Sequence, residues 1–100
     1  MNIQTTVEGN KGIVALEGKL SVATSPDLES AINQLPKEVN EFVIDLTKLD
    51  YISSAGLRVL VSTEKLADQR DGSLTLLHPN AEVTDVFEMT GLSDVFTIVK

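Results

Sequence analysis

The chain has no cysteine and no tryptophan among its 100 residues, and it has a single histidine, His78. Without cysteine there are no disulfides, no thiolate nucleophile and no thiolate metal ligand. One histidine leaves no His/Cys cluster for a transition metal, so ligation would fall to carboxylates alone. Aromatic residues are scarce, three Phe and one Tyr, so the core has to be built from Val, Leu and Ile. Positive charge is also short. Eight Lys and Arg stand against fifteen Asp and Glu, a net charge of −7. Direct binding to nucleic acid or to an anionic membrane needs clustered cations, so neither partner is expected. An acidic chain fits a partner with a basic docking surface. No stretch approaches the roughly 20 apolar residues of a membrane span, and Met1 to Gly12 lacks an apolar signal core. A cytoplasmic location is expected, and no cofactor.

What is present reads as one compact unit over residues 1–100, without linkers, repeats or low-complexity segments. Asn2 to Val7 alternates weakly, a Gly-containing turn follows, and Ile13 to Leu16 is apolar. This is the signature of an antiparallel hairpin. Ser25-Pro26 starts a helix whose Leu28, Ala31, Ile32 and Leu35 share one face, and Pro36 stops it. Phe42 to Leu46 predicts a strand, and its continuous apolar start suggests cover on both faces. A short polar loop is expected after it, then a helix from Ser54 to about Asp71 with Gly72 as its stop. Leu74 to Leu77 predicts a buried strand. Asn80 caps a third helix carrying Val83, Val86 and Phe87, closed by Gly91, and Phe96 to Val99 adds a last strand. The alternation specifies an α/β sandwich with a mainly parallel sheet and an antiparallel hairpin at its start. Functional loops of such sheets favour the carboxyl ends of the strands.

Ser53 and Ser54 occupy that position. Hydroxyls at a helix start have two readings. Serine there caps the helix, worth about 1 kcal/mol relative to Ala. A phosphate there would meet unpartnered amides and the positive end of the helix dipole, while adding about −1.5 to −2 charges to the surface. Both readings stand on local sequence alone.

Catalytic arrangements are missing. There is no Gly-x-Gly-x-x-Gly after a strand and no phosphate-binding Gly-x-x-x-x-Gly-Lys-Ser/Thr. Ile52-Ser53-Ser54-Ala55-Gly56 lacks the leading glycine of a nucleophile elbow, and His78 beside Pro79 reads as a solvated loop residue rather than a base. Asp45 invites comparison with the phosphoacceptor of a receiver domain, but no acidic pair follows Leu16 to hold magnesium. Asp45 is expected to bond loop amides near the serines, and Asp50 to be solvated.

The stretch Asp45-Leu46-Thr47 through Tyr51-Ile52-Ser53-Ser54-Ala55-Gly56-Leu57-Arg58-Val59-Leu60 resembles the STAS domain, in particular its stand-alone bacterial anti-sigma factor antagonists. Leu16-Glu17-Gly18-Lys19-Leu20, Gly72-Ser73-Leu74 and Phe87 through Phe96 support the resemblance in the same order. The resemblance implies a STAS-type sandwich and a non-enzymatic binding module. In that family the unphosphorylated protein binds a serine-kinase anti-sigma factor and so frees a sigma factor. Phosphorylation of a loop hydroxyl by the kinase ends binding, and a PP2C-type phosphatase restores it. The family's Asp-Ser-Ser/Thr-Gly motif maps Ser53 onto the Asp, Ser54 onto the first hydroxyl and Ala55 onto the second. The resemblance therefore implies Ser54 as phosphoacceptor with Ser53 in reserve. It also implies partner contacts from Ser53, Ser54, Ala55, Gly56 and Arg58, and from Ser21, which stands where the family often has an acidic residue. The alternative is a STAS interaction module of another signalling or transport assembly. The oligomeric state is left open.

Overall fold

The computed structural model describes residues 1–100. Five strands lie in one sheet in sequence order: β1 (Asn2–Glu8), β2 (Lys11–Leu20), β3 (Glu41–Ile52), β4 (Ser73–Leu77) and β5 (Thr97–Val99). β1 runs antiparallel to β2, and every later pair is parallel. The parallel steps are bridged by α1 (Ser25–Asn33), α2 (Ser54–Gln69) and α3 (Ala81–Met89). Parallel neighbours require such crossovers, whereas the first pair needs only the tight turn at Gly9, whose φ is +61°. The α/β sandwich read from the sequence is the observed fold.

Twenty-one buried apolar residues form one cluster. It joins alternate positions of the strands (Val14, Leu16, Phe42, Ile44, Leu46, Leu74, Leu76) to the inward stripes of the helices (Leu28, Ile32, Leu57, Leu60, Val83, Phe87). Burying a side chain of this size contributes roughly 1.5–3 kcal/mol. Phe87 and Phe96 close the α3 end edge to face, their centroids 5.6 Å apart at 71°.

β3 departs from its expected form in two ways. It is covered on one face only: Phe42, Ile44 and Leu46 are buried, while Val43 and Asp45 are partly exposed. Val43 sits in a row with Ile13 and Thr75 on the less covered side, where all three are half-buried. The expected polar loop is also strand. Residues 47–51 continue the strand along β2 through two register shifts, with Glu17 opposite Lys48, Gly18 opposite Leu49 and Lys19 opposite Tyr51. Each shift advances the buried phase, so Leu49 and Ile52 return to the core, while Thr47, Lys48, Asp50 and Tyr51 face water.

Gly72 does not end α2 by adopting a left-handed conformation. The residue with positive φ is Asp71, at 54°. Gly72 instead passes so close to Asn40 that a β-carbon would overlap the Asn40 carbonyl oxygen. The contact is clamped by a hydrogen bond from the Ser73 amide to that oxygen at 2.9 Å. Arg70 secures the same corner, its guanidinium 5.6 Å from the Phe42 ring centre and donating to the Val39 carbonyl at 2.7 Å.

Candidate functional site: the β3–α2 junction

β3 is the central strand, and only Ser53 separates its end from α2. Ser53 has extended backbone (φ −95°, ψ 172°), as an N-cap requires, and its hydroxyl accepts the Gly56 amide at 3.2 Å. Its own amide donates to the Leu20 carbonyl at 2.8 Å, tying the junction to the end of β2, and its carbonyl accepts the Leu57 amide at 3.0 Å. Ser53 is thus half-buried and committed to structure. Ser54, the first residue of the helix, is exposed and takes no part in the cap. The two serines that looked alike in sequence have been separated by one step of backbone geometry. Ser and Asp cap about equally well, so serine here keeps the helix start without bringing a charge.

Gly56 is buried at the base of the first turn, where a β-carbon would stand 2.7 Å from Cγ of Leu20 and 3.0 Å from Cγ1 of Ile52. That contact presses α2 onto the ends of β2 and β3. Ala55 is half-buried, and Arg58, one turn on, is exposed.

Ser21 follows Leu20 directly and so lies beside Ser53. It opens a turn dense in hydroxyls: its amide donates to Thr24 Oγ1 at 2.8 Å, Thr24 Oγ1 donates to the Lys19 carbonyl at 2.7 Å, and Ser25 Oγ donates to the Ser21 carbonyl. Ser21, Ser53, Ser54, Ala55 and Gly56 are therefore brought to one end of the sheet, with Arg58 on the adjoining helix. Two further residues of this end were not singled out from sequence. Val22 is 72% exposed at the tip of the Ser21–Thr24 turn, and Tyr51 is 47% exposed opposite Lys19. An isolated valine among hydroxyls and the chain's only tyrosine were the available signals.

Asp45 is not part of this group. Its carboxylate accepts from the hydroxyl and the amide of Thr47, two residues on within β3, which holds its pKa below the ordinary carboxylate value. It lines a cleft with Asn2, Gln4, Glu17 and Lys48 on the uncovered face of the sheet. The expectation that it bonds amides beside the serines fails because the segment after it is strand rather than loop. His78 and Asp50 are exposed, as read from sequence, and no group of three or more His, Cys, Asp or Glu is placed to hold a metal ion. No helix is long and apolar enough to cross a membrane.

A central strand thus delivers an exposed hydroxyl to a helix start at one end of the sheet. Residues 2–100 match the STAS domain model, and the chain belongs to the STAS domain family. Among its relatives, BtrV of Bordetella bronchiseptica is 38% identical over 87 residues, spanning 86% of this chain and 75% of BtrV. The anti-sigma-B factor antagonist of Staphylococcus aureus is 30% identical over 99 residues, spanning 98% and 92%. By homology the chain groups with the stand-alone anti-sigma factor antagonists, which are not enzymes. The fold is also that of the Bacillus protein SpoIIAA. Its unphosphorylated form aligns with a TM-score of 0.75 at 17% identity, covering 99% of this chain and 88% of that one. Its phosphorylated form aligns at 0.77 and 18%, covering 99% and 92%.

Proposed function

We propose that this single-domain protein is a cytoplasmic anti-sigma factor antagonist switched by phosphorylation of Ser54. Unmodified, it binds a serine-kinase anti-sigma factor through Ser21, Ser53, Ser54, Ala55, Gly56 and Arg58, and thereby frees a sigma factor. The kinase phosphorylates Ser54 and the complex dissociates; a PP2C-type phosphatase resets it. The observation that carries this reading is the division of labour between the serines: Ser53 is consumed by the cap, and Ser54 stands exposed one residue later.

Phosphate at Ser54 leaves the core untouched, because the residue is exposed and outside the cap. It weakens docking through like-charge repulsion and through the cost of desolvating a dianion in the interface. A loss of about 3 kcal/mol lowers affinity more than a hundredfold, enough to switch at ordinary concentrations. Mass spectrometry after incubation with the kinase and ATP should place the phosphate on Ser54. Calorimetry should find Ser54→Ala binding the anti-sigma factor while Ser54→Asp binds far more weakly. Phosphate on Ser53 or Thr47, with Ser54→Asp binding like wild type, would refute the choice of residue. If no hydroxyl here is modified, the switch itself is refuted.

A further inference from the structure

We propose that Arg58 is the intramolecular counter-ion of phosphorylated Ser54, so that modification also withdraws from the docking surface the first cation of α2. This rests on the phosphorylation reading above and deepens it.

A helix presents four unpartnered N–H groups at its start. In α2 two of these are already taken, the Ser53 amide by the Leu20 carbonyl and the Gly56 amide by the Ser53 hydroxyl. Only those of Ser54 and Ala55 remain, and Ala55 is half-buried. A phosphate brings three strong acceptor oxygens. The helix end alone under-supplies them, so a side-chain donor has work to do.

Arg58 lies four residues after Ser54 within the continuous helix Ser54–Gln69, and both are exposed. Residues at this spacing are neighbours, with Cβ atoms about 5–6 Å apart, and an anion placed N-terminal to the cation is the favourable order. A guanidinium also offers a planar fork that meets phosphate oxygens in pairs. The next cation of the helix, Lys65, is eleven residues from Ser54, about 16 Å along the axis. Lys19 is also exposed near this end, on β2 rather than on the helix that carries Ser54. Arg58 is therefore the one cation of α2 within reach. In the unmodified protein the same side chain is free to meet a partner, so a single phosphate adds negative charge and removes an available positive one.

The test uses the full chain with phosphoserine installed at position 54 during translation, which makes it independent of any kinase. The second ionisation of the phosphate is followed by phosphorus NMR. Free phosphoserine titrates near about 6. The wild-type protein should titrate lower, and Arg58→Gln should raise the value by roughly half a unit or more. Arg58→Lys should fall between them. Lys65→Gln, which removes the same charge at a distance, should leave the titration close to wild type. Apart from the residue replaced in each variant, the charged groups at this end of the sheet, among them Lys19, Asp50, His78 and Glu82, are common to all four proteins. Equal shifts in Arg58→Gln and Lys65→Gln, or none in either, would overturn the proposal. So would Arg58→Gln weakening partner binding while leaving the titration unmoved, since Arg58 would then be a docking residue only. Failure of the kinase to modify Ser54 would sink the switch and leave this titration standing as a separate result.

Discussion

Gly56 and Leu20 are in contact with no room for a side chain between them: a β-carbon on the glycine would stand 2.7 Å from the leucine's Cγ and 2.8 Å from its Cδ2. Leu20 is fully buried at the end of β2, so it has nowhere to retreat. The first turn of α2, and with it Ser54, is set by this contact.

Gly56→Ala is therefore expected to destabilise the fold. Alanine would gain up to about 1 kcal/mol in helix propensity, whereas forcing an atom into a filled site costs typically 1–3 kcal/mol. A net loss of up to about 2 kcal/mol should appear as a lower urea midpoint. A midpoint at or above wild type would show that the turn can lift off Leu20.

The two serines should separate cleanly in stability. Ser53→Ala removes the cap and is expected to cost about 1 kcal/mol, while Ser53→Asp, an equally good cap, should retain most of it. Ser54→Ala, at an exposed position outside the cap, should stay within about 0.5 kcal/mol of wild type. Thermal unfolding of the three variants checks the order; a Ser54→Ala loss as large as that of Ser53→Ala would contradict the assignment.

Gly72→Ala should be the most damaging conservative change in the chain. The new methyl meets backbone, the Asn40 carbonyl that accepts the Ser73 amide, and backbone cannot rotate aside as a side chain can. A loss on the order of 3 kcal/mol or more is expected, with the soluble yield falling accordingly. Unchanged amide exchange at Ser73 in the variant would argue against this account.

Glu64 supplies a pH dependence. Its pKa is raised, first by burial of the carboxyl on α2 and then by Asp68 one turn on. A folded-state value above the unfolded one, near about 4.3, means that the native protein holds its proton more tightly. The contribution is favourable below the unfolded value and is lost as pH rises through the folded one. At neutral pH the ionised group is a burden, so Glu64→Gln should raise stability at pH 7 by a few tenths of a kcal/mol, of the order of an exposed helical charge pair. The difference should vanish near pH 4. A gain that persists at pH 4 would trace to propensity rather than charge.

The layout of elements was legible because the helices announce themselves locally. Pro26 near the start of α1, the Asn80 cap of α3, whose side-chain oxygen accepts the Val83 amide at 2.8 Å, and the Leu28/Ile32/Leu35 stripe all act within a few residues. The misreadings depended on partners distant in sequence. Thr47 to Tyr51 is polar enough to pass for a loop, and only the register with β2 holds it as strand. Gly72 has the composition of a helix stop, but its reason is Asn40, thirty-two positions earlier. The serines carried the position of the site without the distinction between them, since which hydroxyl caps is fixed by the backbone angle at which β3 enters α2.

The five strands lie side by side in the order in which they are synthesised. A chain leaving the ribosome from its N-terminus therefore finds the neighbour of each new strand already made, and no strand has to be inserted between two that have paired. β1, β2, β3 and α2 include every residue of the serine-bearing tip apart from Ser53, which joins β3 to α2, and the Ser21–Thr24 turn, which joins β2 to α1. The tip is thus complete in the nascent polypeptide before α3 and β5 emerge. The later elements close Phe87 against Phe96 only after the whole of that tip has been translated.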